Sequence, residues 1–368
     1  MSSARVLQIV PRLPGTLDGL GDYAMNIARV LSAHHGLTSV FLVAQQTTIP
    51  RVEGFEVLSG LQSAARPSSS AASCEHVLLH YVNYGYQARG VPFALRRFAS
   101  ELRAQLPGRW VTTFHEIYAS GPPWRSEFWT RPFQVQIARD LIRLSDVCFA
   151  SNGTVAAEIE RHEHGKKVYL APVMSNLGEP VITDFTAASP QRWAIFGGTD
   201  LVRRSLLSFE NMWSSIPTAF SPSHIEVIGG RNEVTTRRIC DQLAERIPGF
   251  VCRYHPEVAV QTASELLSQC SFAWLDYFGD GKVWPGMIMK SSVFAACAAH
   301  GIVPILSHEE EPFSVDGEAF PGPWFRTSRA ARFPVAERLP EIREKIYNWY
   351  GAHAATPRLA QLYAEAFA

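Results

Sequence analysis

The chain alternates short apolar runs of strand length with longer segments in which apolar residues recur at helical spacing. Runs such as Val6–Val10 and Trp110–Phe114 are mostly apolar and contain no charged residue, which is typical of parallel strands buried on both faces. From about Asp22 the pattern changes to an amphipathic helix whose apolar face carries Tyr23, Ile27, Val30 and Leu31. This alternation predicts βαβ units and an α/β fold class, with parallel sheets covered by helices.

The predicted strands fall into two sets. The first set is Val6–Val10, Val40–Ala44, His76–Tyr81, Trp110–Phe114, Val147–Ser151 and Lys167–Leu170. The second set is Trp193–Gly197, His224–Ile228, Val251–Tyr254, Phe272–Leu275 and Ile302–Leu306. Between the sets, Ala171–Arg192 is rich in turn residues and lacks periodicity. We therefore predict domains at 1–178 and 190–345, and a helical tail at 346–368 that packs back on the first domain.

Composition supports two domains and excludes some function classes. The 368 residues are 46% hydrophobic, enough for two packed cores. Lys plus Arg and Asp plus Glu both number 34, so the net charge is zero and no nucleic-acid partner is predicted. No run approaches the roughly 18 apolar residues of a membrane span, and a signal peptide is not evident, which predicts a cytoplasmic protein. The six Cys are scattered and HExxH is absent, so no metal site is predicted.

A glycine pattern precedes the first predicted helix. Gly19 and Gly21 form a GxGxxA, where backbone N–H groups and the helix dipole suit a phosphate. A dinucleotide fingerprint is not supported, because residues 11–18 separate the strand from the first glycine and no acidic residue ends the second strand. The alternative interpretation is that both glycines only turn the chain into the helix.

Two basic motifs in the second half favour an anion site. Arg203 and Arg204 follow a Gly197-Gly198 turn, and two guanidinium groups match the geometry of a diphosphate. Further along, Lys290 precedes Ser291 and Ser292 at the predicted start of a small-residue helix. The arginines could equally be solvated charges of a first helical turn.

Polar residues also end the strands of the first half, at the edge where open α/β sheets bind ligands. His115 and Glu116 follow Trp110–Phe114, and the imidazole could bind a sugar hydroxyl or exchange a proton. His80 and Tyr86 lie near the end of another strand, and Trp124 lies in an aromatic loop; all three are candidate acceptor contacts. Satisfied or packed side chains are the alternative at each position.

Together, the glycine-bearing loop, the Thr112–Glu116 segment, the Gly-Gly turns and the Lys290 motif resemble the GT-B glycosyltransferases, in particular the retaining family 4 type. The resemblance implies two Rossmann-like α/β/α domains facing across a cleft, with C-terminal helices crossing back to the first domain. It implies a nucleotide-diphosphate sugar as substrate, no cofactor, and retention of configuration. Gly19, Gly21 and the basic motifs would lie near the donor phosphates, and His115 near the transferred sugar.

The chain departs from that family at two positions. Family 4 enzymes usually carry two glutamates in the donor helix, and the matching positions are Ile288 and Ala296. Asp276 and the acidic run Glu309–Glu311 are substitute candidates. The departure leaves open an inactive GT-B-like binding or scaffold protein, or a nucleotide-sugar epimerase or hydrolase. The acceptor could be a glycan, a lipid-linked molecule or a small molecule, and contact with the inner face of a membrane is compatible with a mixed surface.

Overall fold

The structure is a computed structural model that describes residues 4–13, 19–61, 69–106, 108–119, 121–218, 220–277, 283–306, 312–322, 324–325 and 336–368. The chain divides into two compact units. The first unit comprises Met1–Pro172 together with Thr356–Ala368, and the second comprises Val173–Ala355. Each is built around its own largely parallel sheet, which confirms the predicted α/β class.

The sheet of the first unit has the order β3-β4-β2-β1-β5-β6-β7-β8. Its strands are β1 (Ala4–Val10), β2 (Leu37–Val43), β3 (Arg51–Val52), β4 (Phe55–Ser59), β5 (His76–Tyr81), β6 (Trp110–Phe114), β7 (Val147–Ala150) and β8 (Val168–Leu170). All neighbours are parallel except β3 and β4, a short antiparallel hairpin at one edge. The central strands β1, β6 and β7 are mostly buried, because helices cover both faces of the sheet.

The helices of the first unit are α1 (Gly19–His35), α2 (Ser69–Ala72), α3 (Asn83–Tyr86), α4 (Phe93–Arg103), α5 (Ser126–Leu144), α6 (Gly153–His162) and the C-terminal helix (Thr356–Phe367). Helix α1 begins at Gly19, one turn before the predicted start, and buries Tyr23, Ile27 and Leu31. The C-terminal helix packs against α1 through an apolar face that includes Leu359 and Tyr363.

The main sheet of the second unit has the order β11-β10-β9-β12-β13-β16, with parallel neighbours throughout. The strands of this unit are β9 (Ser189–Gly197), β10 (His224–Gly229), β11 (Val251–His255), β12 (Cys270–Leu275), β13 (Val303–Leu306), β14 (Ser314–Val315), β15 (Glu318–Ala319) and β16 (Trp324–Phe325). Strands β14 and β15 form a separate antiparallel pair. Strand β9 begins at Ser189, inside the segment predicted as a linker.

The helices of the second unit are α7 (Thr199–Met212), α8 (Val234–Arg246), α9 (Val260–Ser268), α10 (Ser292–Ala299) and α11 (Leu339–His353). The predicted tail boundary at 346 falls inside α11, which is one continuous helix of this unit. Buried Arg343 anchors α11, because Nε donates to the carbonyl oxygen of Gly301 at 2.8 Å and Nη1 to that of Phe185 at 2.8 Å. Within the predicted tail, it is the C-terminal helix (Thr356–Phe367) that belongs to the first unit.

Each sheet has a point where the strand order reverses. In the first unit β1 lies between β2 and β5, and in the second unit β9 lies between β10 and β12. Open parallel sheets bind ligands outside the carboxyl ends of the strands at such points. Ligand-binding side chains are therefore expected at the carboxyl ends of β5, β6, β9 and β12. In the part of the chain that the structure describes, no helix combines the length and apolar character needed to cross a bilayer.

Candidate functional site

His115 lies directly beyond the carboxyl end of β6. Its backbone N–H donates to the carbonyl oxygen of Tyr81 at 3.1 Å, which extends the β5–β6 ladder by one residue. This bond fixes the position of the imidazole at the sheet edge. Both His115 and the following Glu116 are half-buried.

A chain of buried polar side chains leads from the sheet interior to His115. Gln8 Nε2 donates to Ser39 Oγ at 2.8 Å, and Gln8 Oε1 is 2.9 Å from His80 Nε2. His80 Nδ1 is in turn 3.5 Å from His115 Nε2. Gln8, Ser39 and His80 are all buried. This series of hydrogen bonds therefore connects strands β2, β1 and β5 to the residue at the end of β6.

This arrangement determines the tautomers of the two imidazoles. Because Gln8 Oε1 can only accept, His80 Nε2 carries the proton and Nδ1 is left as an acceptor for the Nε2–H of His115. The Nδ1 lone pair of His115 then has no hydrogen-bond partner among the described residues. Burial lowers the pKa of His115 to about 3 and holds the pKa of His80 well below its usual range. Both rings are neutral near pH 7.

Two of the predicted acceptor contacts are engaged inside the unit. The ring of His80 is fully buried, so it supports His115 instead of facing a ligand in this conformation. The Tyr86 hydroxyl is 3.0 Å from the carbonyl oxygen of Ile9 and 2.8 Å from that of His80, so it joins the ends of β1 and β5. Trp124 differs from both, because 84% of it is exposed in the turn before α5.

In the second unit, glycines shape the carboxyl ends of β9 and β10. Gly197 has φ +134° and Gly229 has φ +92°, values that L side chains rarely adopt. A Cβ atom on Gly229 would lie 2.6 Å from the carbonyl oxygen of Gly197. The two turns singled out in the sequence therefore contact each other so closely that only glycine fits at Gly229.

A cavity of about 430 Å³ lies beside these turns, a size within the usual range for small-ligand sites. It is lined by Asp200, Leu201, Arg204, Tyr277, Val283, Met287 and Lys290. Its walls combine apolar side chains with two cations and one carboxylate. The excess of one positive charge suits an anionic ligand such as a diphosphate.

Only one of the two predicted arginines reaches this cavity. Arg204 is half-buried, with Nε 2.7 Å from the carbonyl oxygen of Asp276 and Nη2 2.5 Å from that of Tyr277. It therefore fixes the segment that leaves β12 as well as lining the cavity. Arg203 is exposed, and its Nη2 lies 3.4 Å from Asp200 Oδ1, which is a solvated contact within the first helical turn.

Lys290 ends a 3₁₀ turn (Pro285–Lys290), and its side chain lines the cavity. Ser291 is the N-cap of α10, as predicted, because its Oγ accepts a hydrogen bond from the backbone N–H of Phe294 at 3.4 Å. Neither Ser291 nor Ser292 lines the cavity. The structure thus brings Lys290 and Arg204 together and leaves the two hydroxyls outside the cavity wall.

The positions that match the family 4 glutamates lie in the core. Ile288 and Ala296 both have 0% exposed surface, so a carboxylate at either place would be buried. Asp276, one substitute candidate, is also nearly buried and does not line the cavity. Among the described residues, no group of three or more His, Cys, Asp or Glu side chains is arranged to hold a metal ion.

The remaining predictions can be placed only in part. Gly19 is exposed at the first residue of α1, and Gly21 is buried two residues later. The loop before them, 14–18, and the acidic run Glu309–Glu311 lie outside the described residues. Sequence reasoning missed Gln8 and Ser39. The available signal was a glutamine in the middle of the apolar run Val6–Val10, where a polar residue needs a buried partner.

No family model matches this chain, and no relative was found among curated proteins. Solved structures do match over nearly the whole length. An alpha-glucosyltransferase in complex with UDP-glucose and DNA containing an abasic site has a TM-score of 0.56 and 10% identity, with 99% of each chain covered.

Two further matches have similar scores. The alpha,alpha-trehalose 6-phosphate synthase from Burkholderia multivorans has a TM-score of 0.56 and 13% identity, covering 100% of this chain and 96% of its own. The lipopolysaccharide outer core galactosyltransferase WaaB, in its apo form, has a TM-score of 0.54 and 9% identity, with 98% of each chain covered. At such low identity the likeness establishes the fold alone. The chain has the GT-B fold of these glycosyltransferases, with two Rossmann-like domains.

Proposed function

We propose that this protein is a glycosyltransferase that moves a sugar from a nucleotide-diphosphate donor to an acceptor. The observation that carries the proposal is the meeting of Arg204 and Lys290 in one cavity at the strand-order reversal of a GT-B second unit. A cationic cavity at this place suits a diphosphate better than a neutral ligand. The structural neighbours add support, since several of them were solved with UDP or UDP-glucose.

The second unit would bind the donor and stabilise its departing diphosphate. Negative charge grows on the diphosphate as the glycosidic bond breaks, so fixed cations bind the transition state more strongly than the ground state. Lys290 supplies an ammonium group at the cavity wall, and Arg204 is held in place by two carbonyl oxygens. Because these two groups provide positive charge, the proposed reaction is metal-independent and needs no cofactor.

The first unit would supply His115 and Glu116 as catalytic groups. With its Nε2–H directed at His80, His115 offers a neutral Nδ1 that can accept a hydrogen bond from a sugar or acceptor hydroxyl. His80 and Gln8 are positioning residues in this scheme.

Retention of configuration follows from the resemblance to family 4. The proposed acceptor is a glycan, a lipid-linked molecule or a small molecule. Nucleic acid is not proposed as a partner, because the chain has no net charge.

The donor proposal can be tested by thermal shift with UDP, GDP, ADP, dTDP and CMP. A ligand that binds only the folded protein raises Tm. We expect a rise of several degrees with one nucleoside diphosphate and its sugar conjugate. Lys290→Met should abolish the shift, whereas Lys290→Arg should keep most of it. Arg203→Ala is the matched control, because it removes a neighbouring cation that does not line the cavity.

Transfer itself would be followed with the sugar nucleotide that gives the shift and a mixed panel of acceptors. Release of nucleoside diphosphate should depend on Lys290 and on His115. No shift with any nucleotide, or equal loss in Lys290→Met and Arg203→Ala, would contradict the proposal. Turnover of the donor at the same rate without any acceptor would instead indicate a hydrolase or epimerase.

A further inference from the structure

A group of large aromatic side chains stands exposed on the first unit. Phe93 begins α4, Trp124 lies in the turn before α5, and Phe128, Trp129 and Phe133 lie on the first two turns of α5. Their exposed fractions are 50%, 84%, 43%, 67% and 54% in that order. We call these five residues the aromatic patch. Soluble surfaces seldom expose so many large rings together, and such patches usually mark a binding surface.

The rings of the aromatic patch are linked. The ring centroids of Phe93 and Phe133 are 6.1 Å apart, and those of Phe128 and Trp129 are 5.3 Å apart. Trp129 and Phe133 are four residues apart and so share a face of α5. The Trp129 indole Nε1 donates to the carbonyl oxygen of Pro123 at 2.9 Å, which holds the Trp124 turn against the helix. The patch is therefore one continuous surface.

Arginines without carboxylate partners surround the patch. Arg89, Arg125 and Arg131 are exposed, and none forms an ion pair with another described residue; Arg131 instead lies 5.3 Å from the ring of Tyr118. Several exposed arginines elsewhere on this unit are paired, for example Arg29 with Glu53 and Arg97 with Glu101. Glu127 is the one acidic residue in the first turn of α5. The surface therefore combines apolar rings with an excess of positive charge.

We propose that the aromatic patch, with Arg89, Arg125 and Arg131, docks the first unit on an anionic phospholipid bilayer. Trp and Phe side chains partition into the headgroup boundary, and arginine side chains reach the lipid phosphates while their stems stay in apolar surroundings. Both chemistries occur here on the first two turns of α5 and on the turn that precedes it. A nucleic-acid surface would need more cations for its phosphate contacts and fewer apolar rings.

Docking does not depend on the proposed transfer reaction. If that reaction holds, however, docking selects the lipid-linked acceptor among the alternatives, because the enzyme would work at the surface that contains it. Vesicle binding is measured without any donor or acceptor. A failure of docking and a failure of the transferase proposal are therefore separate results.

The test is co-sedimentation of the full chain with vesicles of phosphatidylcholine alone and of phosphatidylcholine with phosphatidylglycerol. We expect binding to the anionic vesicles, at least about tenfold weaker binding to the neutral ones, and a decrease with added salt. Trp124→Ser/Trp129→Ser should abolish binding. Arg125→Ser and Arg131→Ser should each weaken it about fivefold.

Matched controls come from the same chain. Arg97→Ser removes an exposed but ion-paired arginine of α4, and Val181→Ser removes an exposed apolar residue of the second unit. Both should bind vesicles like the wild type. The proposal is wrong if anionic vesicles do not retain the protein, or if the tryptophan and control variants bind equally. It is also wrong if these tryptophans instead control dimerisation in gel filtration or retention of a DNA duplex.

Discussion

The hydroxyl of Tyr363 in the C-terminal helix lies 2.9 Å from the hydroxyl of Tyr23 in α1. The same Tyr363 oxygen is 2.7 Å from Thr113 Oγ1 on β6. Tyr23 also contacts the ring of His115 edge-on, with 4.9 Å between the centroids. A residue near the end of the chain is thus connected through Tyr23 to the proposed catalytic imidazole, and the C-terminal helix is an integral part of the first unit.

Tyr363→Phe should destabilise the first unit without changing its shape. The substitution removes one oxygen and leaves the buried hydroxyls of Tyr23 and Thr113 short of a partner, which costs about 1–3 kcal/mol. Urea denaturation would measure this as a lower midpoint with an unchanged m-value. Tyr169→Phe is the control, because no hydrogen bond of the Tyr169 hydroxyl is seen within the described part of the chain. Equal midpoints for the two variants would contradict the proposed network.

The positions of most strands along the chain were predictable from the sequence, and the reason is physical. Strands such as His76–Tyr81 and Trp110–Phe114 are predicted with the observed bounds, because burial on both faces leaves mostly apolar runs without any Lys, Arg, Asp or Glu. The edge hairpin β3–β4 was missed, since edge strands are short and half exposed. Strand β9 extends back to Ser189 through polar residues that pairing with β10 and β12 stabilises, which periodicity does not reveal.

Gly229→Ala should destabilise the second unit strongly. Its φ of +92° is unfavourable for alanine, and the new Cβ would lie 2.6 Å from the carbonyl oxygen of Gly197. Strain and overpacking together should lower the free energy of unfolding by about 2 kcal/mol or more.

Gly351→Ala is the matched control, because Gly351 lies within α11 with no atom close to its Cβ position. There alanine should raise stability by about 0.5–1 kcal/mol, since it favours the helical conformation. Urea melts of both variants would check the signs. A Gly229→Ala protein as stable as the wild type would refute the close approach of the two turns.

The stability of the first unit should fall as the pH drops below 6.5. Burial lowers the pKa of His115 to about 3 from the ordinary 6.5, so in this range the unfolded chain binds more protons than the folded one. The contribution of His115 to the stability is then fully present above pH 6.5 and is lost progressively toward pH 3. One such histidine contributes a slope of at most about 1.4 kcal/mol per pH unit.

His115→Asn should remove this part of the slope. The measurement is the urea midpoint of the wild type and of the variant at several pH values between 7.5 and 5.0. The two proteins are compared by the slope of the midpoint against pH and not by their absolute stability. His34→Asn, at an exposed position of α1, is the control for the substitution itself. Parallel pH profiles for wild type and His115→Asn would show that the imidazole is not held neutral by burial.

The candidate site was predictable in residue type but not in geometry. Arg203 and Arg204 are adjacent in sequence, and only the direction of each side chain from α7 decides which one lines the cavity. Likewise, His80 and His115 both follow from strand-end reasoning. His80 supports His115 because Gln8 accepts a hydrogen bond from His80 Nε2. The sequence pattern places Gln8 in the core and assigns it no role.

Introducing a glutamate at the position that carries one in family 4 should destabilise the protein. Ala296 has 0% exposed surface on α10, so Ala296→Glu would bury a carboxylate among apolar neighbours and lower stability by about 4 kcal/mol or more. Val234→Glu, at a residue that is 85% exposed at the start of α8, should be nearly neutral. Thermal melts with and without the nucleotide would decide. If Ala296→Glu folds normally and binds the nucleotide more tightly, this helix face points toward the donor, and the proposed assignment of donor binding to Arg204 and Lys290 is incomplete.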